Sequence, residues 1–295
     1  MSRAFAPYEK LNVLCLKAFG DFTIAAASIE KIDPTERHRV RLVAGSHLAP
    51  LAAAVAPDVE IAYVDVGAHG VPPLFDIRKH GVRKAIRSGI GLRRAMRAMG
   101  PTIGRSILVD RADHRAHFLF DRYDISELPP GSRNIYDAYQ VAFSSFGLAS
   151  VQSVQALATP ASDLIGILPG SRIAAKNLPP ALVAQSLDTC RRSGKMGRLI
   201  LVHGERPDLE AAFSDAIVIV HDFGQLAAAL RGVGQIISAD SLPAHLAERS
   251  AIPVFVLSPV DNSYWLPKSS FDRSYWCLFK NDDAGWDRLE KFVAR

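Results

Sequence analysis

No apolar run in this 295-residue chain approaches the ~20 residues that a bilayer-crossing helix requires, so a spanning segment is not expected. The N-terminal stretch MSRAFAPYEKLNVLCLKAFGD lacks the ordered basic, apolar and small-residue regions of a signal peptide, and the expected location is the cytoplasm. Cysteine is scarce. Cys15, Cys190 and Cys277 lie far apart without metal-ligand spacing, which excludes a disulfide scaffold and fits a reducing compartment. Cys15 sits within an apolar run and reads as a buried thiol. Two phosphate-binding patterns are also missing. The first strand-to-helix turn, KAFGDF, has one glycine, whereas G-x-G-x-x-G needs three to bring backbone against a pyrophosphate. The stretch ILPGSRIAAKNLP fails the Walker pattern, with Ala175 and Asn177 where Gly and Ser or Thr belong.

Acidic residues are absent between Arg78 and Arg105, where nine Lys and Arg accumulate, although the chain's net charge is only +5. Such a block favours an anionic partner, whether lipid headgroups, a phosphorylated substrate or nucleic acid; its simpler reading is a solvated face. The block also lacks aromatics, the stacking platforms of single-stranded nucleic-acid readers, so nucleic acid is not an expected partner. Were 82–99 helical, Arg83, Arg87, Arg94 and Arg97 would share one face, with Ala85, Leu92, Met96 and Met99 opposite. Gly89 and Gly91 predict an interruption of that helix.

Hydrophobic residues at 48% and charged residues at 22% match a soluble globular protein. Short apolar runs alternate with helix-like stretches: strands at 11–20, 39–45, 59–66 and 105–110, then at 164–170, 197–204, 216–222, 234–240 and 252–258. Helices are predicted at 21–32, 47–56, 179–192, 223–231, 242–250 and 284–295. The rhythm implies an α/β fold of two doubly wound, Rossmann-like parallel-sheet domains facing a cleft. The expected domains are 1–158 and 159–295, joined near ALATPASD (156–163), with the last helix free to pack back on the N-terminal domain.

Ligands in open α/β sheets bind beyond the carboxyl ends of the strands, which directs attention to four turns. Asp21 follows the first strand and reads either as a helix N-cap, which residue physics favours, or as a general base. Ser171, Arg172 and Lys176 follow the strand at 164–170, where a hydroxyl and two cations could hold phosphate oxygens. Glu205 follows 197–204. In ISADSLPAHLAE, Ser241 suits an N-cap and Pro243 a first turn, leaving N–H groups and a helix dipole for an anion. The same dipole would disfavour a charged His245. The cluster Asp110, Asp113, His114 and His117 has His-x-x-His spacing, with a polar loop as the leading reading and metal as the lesser one.

Taken in order, LCLKAFGDFTIAAASI, ILPGSRIAAKNLP and ISADSLPAHLAERSAIPVFVLSPVDN resemble the signature stretches of family 9 of the glycosyltransferases, the family of ADP-heptose:lipopolysaccharide heptosyltransferases. The resemblance implies the GT-B fold and an inverting transferase without a metal or other cofactor. Its donor would be a nucleotide-sugar, ADP-linked in the family pattern, and its acceptor an anionic glycolipid or surface polysaccharide. By the same resemblance Asp21 falls at the catalytic base, and Ser171, Arg172, Lys176, Glu205, Asp240, Ser241 and His245 at the donor site. The basic block with Arg83, Arg87, Arg94 and Arg97 would face the acceptor or the inner membrane surface. A catalytically silent relative that binds nucleotide-sugar or associates with a membrane, and a GT-B sugar-nucleotide epimerase, are the alternatives. The chain departs from the family pattern at Leu242, where glycine is usual, at Leu178 in place of tryptophan, and at Ser258 in place of glycine.

Overall fold

Runs such as Leu164–Leu168 (LIGIL) and Val254–Ser258 (VFVLS) are apolar at nearly every step, which a strand sustains when both faces of its sheet are covered. In the computed structural model, which describes residues 10–66, 72–103, 105–151 and 162–295, these runs become inner strands of a parallel sheet.

The first sheet grows from β1 (Leu11–Cys15), α1 (Phe19–Ile29), β2 (Val40–Gly45), α2 (Ala49–Val55), β3 (Glu60–Val64), α3 (Ile77–His80), α4 (Val82–Ile103), β4 (Ser106–Val109), α5 (His114–Leu119) and β5 (Asp124–Glu127), followed by α6 (Ile135–Ser145). Its strand order is β3-β2-β1-β4-β5. The second comprises β6 (Leu164–Leu168), α7 (Pro180–Arg192), β7 (Met196–Val202), α8 (Pro207–Ala212), β8 (Ile217–Val220), α9 (Phe223–Arg231), β9 (Gln235–Ala239), α10 (Leu242–Arg249), β10 (Val254–Ser258), α11 (Lys268–Arg273), β11 (Trp276–Leu278) and α12 (Asp283–Val293). Its order is β11-β10-β9-β6-β7-β8. All named pairings are parallel.

Both sheets reverse their winding beside their first strand, between β1 and β4 in one and between β6 and β9 in the other. Loops leaving two such neighbours diverge to opposite faces and open a crevice at the carboxyl ends. That topology, more than any single motif, determines where ligand-binding side chains can gather.

Each sheet has its own core. Val43 and Ile107 pack under Leu92, Met96 and Phe120 in the first. Ile167, Ile237, Phe255 and Leu257 pack with Leu289 and Phe292 in the second, where the Phe255 and Phe292 rings lie 5.6 Å apart. Burying a side chain such as Phe255 is worth about 2–3 kcal/mol. The apolar face of α12 enters the second sheet's own core through Leu289, Phe292 and Val293.

The described chain divides into two compact units. One runs through Ser132 and resumes at Tyr136 through α6; the other takes Arg133–Ile135 and everything from β6 to Arg295. The boundary expected at 158/159 and most of the expected joint at 156–163 lie outside the described residues.

Helix α4 runs unbroken over its 22 residues, against the interruption expected at Gly89 and Gly91. A Cβ on Gly89 would stand 3.4 Å from Leu74 Cδ1, and one on Gly91 would meet nothing within 4 Å. Each glycine costs about 1 kcal/mol relative to alanine. Burial of Ala85, Leu92 and Met96 along the opposite face outweighs that cost.

Candidate functional site

The crevice between β6 and β9 collects most of the residues singled out in the second half of the sequence. Leu168 ends β6, and Pro169, Gly170 and Ser171 form the turn beyond it; Asp240 and Ser241 follow β9. Short loops hold both turns close. The Ser241 hydroxyl donates to the Gly170 carbonyl at 3.0 Å, tying one strand end to the other. The N–H of Ser171 donates to Asn177 Oδ1 at 2.6 Å, and Leu178 N–H donates to the Pro169 carbonyl at 2.9 Å, so the 170s loop folds back on its strand.

That fold-back delivers Lys176 to Asp240, with Nζ and Oδ2 2.6 Å apart. Asp240 is almost wholly buried, with 4% of its side chain accessible, and a buried carboxylate demands such a partner. Asn262, in the loop after β10, donates to the same oxygen at 2.9 Å. His245 lies on the first turns of α10, buried beside the pair. Burial lowers its pKa from the usual 6.5 to about 4, with nearby Lys176 acting in the same direction and Asp240 against it. The histidine is therefore neutral near pH 7, as the sequence leads one to expect. Its principal cause is desolvation rather than the helix dipole.

Ser241 occupies the N-cap position of α10, but its side chain makes no capping bond. The hydroxyl is engaged by Gly170 instead, which leaves the work of an N-terminal acceptor undone by that side chain. Leu242 begins the helix in regular helical backbone, so the glycine of the resembled motif is not demanded here by φ. Leu178 is fully buried in the second core and its carbonyl accepts from Arg206 Nη1 at 3.0 Å. Arg206 is itself fixed by two bonds to Asp208, at 2.9 and 2.7 Å. Ser258 is buried and donates to the Val260 carbonyl at 2.7 Å, shaping the loop that carries Asn262.

Glu205, after β7, reaches toward the same turn: a Cβ on Gly170 would stand 3.5 Å from its Oε2. Its residue surface is largely open to solvent, yet the local packing raises the carboxyl pKa by desolvation. Arg172 is exposed and has no contact with Asp240 or His245 among the described interactions. The crevice thus unites Ser171, Lys176, Glu205, Asp240, Ser241 and His245 and leaves Arg172 at its edge. Asn177 and Asn262 are the contributors that sequence reasoning passed over. Their only signal was an amide side chain in a loop just past a strand end, where such side chains commonly bond to backbone or neighbours.

In the first unit, Asp21 is the third residue of α1, not its N-cap; that position belongs to Ala18, which makes no side-chain bond. The capping interpretation is therefore overturned, because the helix starts two residues early at Phe19. Asp21 is half-buried at the carboxyl end of β1, and its carbonyl accepts from the Cys15 thiol at 3.6 Å. Asp110, after β4, stands across the winding reversal. Desolvation raises its pKa, while nearby Lys17 and Arg111 oppose the rise. Burial pushes the Cys15 thiol pKa up, and the Asp21 and Asp110 carboxylates add to that rise while Tyr139 opposes it. Asp113 is spent as the N-cap of α5, accepting from Arg115 and Ala116 N–H at 3.0 and 2.9 Å. Among the described residues no group of three or more His, Cys, Asp or Glu is placed to hold a metal ion.

Of the four arginines expected to act together on α4, Arg83, Arg87 and Arg94 are exposed. Arg97 is committed to Asp121, which also binds Arg93 at 2.7 Å. The two guanidinium groups hold the Asp121 carboxyl far below its ordinary pKa.

No protein-family model matches the sequence, and no curated protein matches it significantly. Solved structures do match the fold. The family 9 glycosyl transferase of Veillonella parvula DSM 2008 superposes with a TM-score of 0.66 at 15% identity, over 99% of this chain and 95% of that one. The E. coli heptosyltransferase WaaC with ADP gives 0.62 at 12% identity, over 96% and 99% of the two chains. E. coli ADP-heptose lps heptosyltransferase II gives 0.58 at 15% identity, over 96% and 97%. With its two parallel sheets, of five and six strands, this chain has the GT-B fold of those glycosyltransferases over nearly its whole length.

Proposed function

We propose that this protein is an inverting glycosyltransferase that takes a heptose-like sugar from a nucleotide-sugar, with ADP as the favoured nucleotide. The observation that carries the reading is the Lys176–Asp240 pair at the β6/β9 reversal, with Ser241 and buried neutral His245 beside it. It is supported by the fold shared with heptosyltransferases, one of them solved with ADP.

The chemistry follows from the groups present. Among the described residues, both bonds to the Asp240 carboxylate use Oδ2, so Oδ1 can accept from a sugar hydroxyl. An ammonium has three donors, so Lys176 can keep Asp240 and still contact a phosphate oxygen. The N-terminus of α10, uncapped by Ser241, adds N–H groups and a favourable dipole for the diphosphate. His245, neutral, bonds to the donor without adding charge. Asp21 accepts the proton of the acceptor hydroxyl as that oxygen attacks the anomeric carbon and the bond to the diphosphate breaks. Negative charge grows on the departing diphosphate, where Lys176 and the helix terminus stabilise it. These groups supply the electrostatics that a metal provides elsewhere, so no metal is required. Glu205 faces the nucleoside side of the turn. The acceptor is an anionic glycolipid or surface polysaccharide, drawn by exposed Arg83, Arg87 and Arg94.

A thermal-shift panel of ADP-, UDP-, GDP- and CMP-linked sugars tests the donor assignment. Stabilisation is expected with the ADP-linked ligand and should persist in EDTA. Absence of a shift with every ligand would remove the transferase reading. Asp21→Ala should abolish transfer and leave that shift unchanged; retained turnover would take the base role away from Asp21.

A further inference from the structure

The loop between β10 and α11 carries Asn262 to the donor crevice, and a side chain far away in sequence holds it there. The loop contains one short turn, Ser263–Trp265. Trp265 N–H closes it on the Asn262 carbonyl at 2.9 Å, and Leu266 N–H on the Ser263 carbonyl at 3.3 Å. Ser258 fixes the entrance through its bond to the Val260 carbonyl. The exit is fixed by Asn134, fully buried and 129 residues upstream of Ser263, in the Arg133–Ile135 segment that counts with the second unit. Its Nδ2 donates to the Leu266 carbonyl at 3.0 Å and, over a longer 3.4 Å, to the Ser263 carbonyl. One amide thus spans the turn from its first residue to the residue after its last.

The surroundings force the orientation of that amide. Two carbonyl oxygens face the same atom, and a side-chain oxygen in its place would meet only lone pairs. Beside it the Arg133 guanidinium lies over the Phe271 ring of α11, 5.6 Å from its centroid, so successive residues tie the segment to one region. Buried amides often tie loops down; what distinguishes this one is where the loop leads. Asn262 immediately precedes the turn and donates to Asp240 Oδ2, the oxygen that also accepts from Lys176. Two donors on one oxygen fix the rotation of a nearly buried carboxylate and thereby aim its Oδ1. Hydrogen bonds weaken steeply when misaligned. A turn that drifts takes Asn262 off that oxygen and leaves Lys176 alone to orient Asp240.

We propose that Asn134 is a positioning residue for donor recognition. Fully buried, it acts through the loop: it braces the turn at 263–266 so that Asn262 keeps its bond to Asp240. Asp240 then keeps the orientation in which it accepts from the donor's sugar. This rests on the transferase reading and deepens it, since the donor site depends on a side chain outside the strand-end turns that form it.

A double-variant cycle on the full chain, read by calorimetric titration with an ADP-linked sugar, tests the proposal. Asn134→Ala and Asn262→Ala should each raise Kd roughly ten-fold. Because Asn134 acts through Asn262, the double variant should bind no more weakly than Asn262→Ala alone. A tie that merely supports the fold would instead multiply with the loss of Asn262, to roughly a hundred-fold. That multiplied loss, or wild-type affinity in Asn134→Ala, overturns the proposal. Asn134→Ser keeps one donor and takes the place of the alanine variant in the cycle if the latter does not fold. Hydrogen exchange without ligand gives a second readout. The peptide spanning 261–268 should exchange faster in the Asn134 variant while β6 and β7 keep their protection; an unchanged loop overturns the brace. A wild type that binds no nucleotide-sugar removes the transferase reading and the donor role of Asn134 with it. A wild type that binds, beside an Asn134 variant that binds equally well, removes this proposal alone.

Discussion

Lys176 is held by Asp240 as firmly as it holds it, and the pair has consequences for stability as well as for ligand binding. Replacing Lys176 with methionine leaves a nearly buried carboxylate without its cation, a loss of about 3–5 kcal/mol in comparable buried pairs and toward the lower end here because the lysine is partly accessible. Lys176→Met should therefore lower Tm and abolish donor binding together. Lys176→Met/Asp240→Asn should restore much of the Tm and none of the binding; a double variant that recovers binding would show that the pair is structural only. His245 adds a pH dependence of defined sign. Its folded-state pKa of about 4 lies below the usual 6.5, so between those values the unfolded chain binds more protons. Its stabilising contribution is complete above pH 6.5 and is lost as pH falls toward 4, amounting to a few kcal/mol at most. His245→Gln should flatten the denaturant midpoint over that interval. An unchanged slope would mean that His245 is not the titrating group. At this scale Asp240, Ser241 and His245 were legible because their spacing in ISADSLPAHLAE follows a strand. Asn177 and Asn262 were not, because only the closed loops show which atoms they meet.

Elements were read best where periodicity was strong and worst where it was short. Helix α9 matches its expected span of 223–231, and α7 and α10 fall within one residue of theirs at each end. Strand β5, with the sequence DISE, was missed because four residues at a sheet edge, half of them exposed, carry no apolar signature. Helix α4 was expected to break, because glycine propensity is a local cost and the buried seam that overrides it is a tertiary gain. That contrast yields a prediction. Gly91 is in helical backbone with nothing within 4 Å of an added Cβ, so Gly91→Ala should stabilise the protein by about 0.5–1 kcal/mol. A lower Tm would mean that the helix gains from a flexible point there. The Asp121 clamp offers a second test on the same helix. Asp121→Asn should speed amide hydrogen exchange in the C-terminal half of α4 and in α5, with the difference shrinking at high salt as screening weakens the wild-type pairs.

Across the whole molecule, the alternation of apolar strands and helices made two doubly wound sheets readable, since continuous apolar runs have few other homes. Strand order was not written locally. That β1 adjoins β4 and β6 adjoins β9 follows from where each chain turns back, which no window of sequence contains. This reversal is what makes the polar strand ends of the second sheet one site instead of three isolated turns, and it predicts a polarised ligand response. With an ADP-linked sugar bound, amide exchange should slow in the turns at 169–177, 203–206 and 240–246, all beyond carboxyl ends of second-sheet strands. The turns at the opposite ends of the same strands, near Gly194 and Gly232, should exchange as they do without ligand, although they share the same core. Hydrogen exchange read by mass spectrometry separates the two sets of peptides. Equal slowing at both ends would indicate general stabilisation of the unit by a ligand bound elsewhere, and the β6/β9 crevice would no longer account for donor recognition.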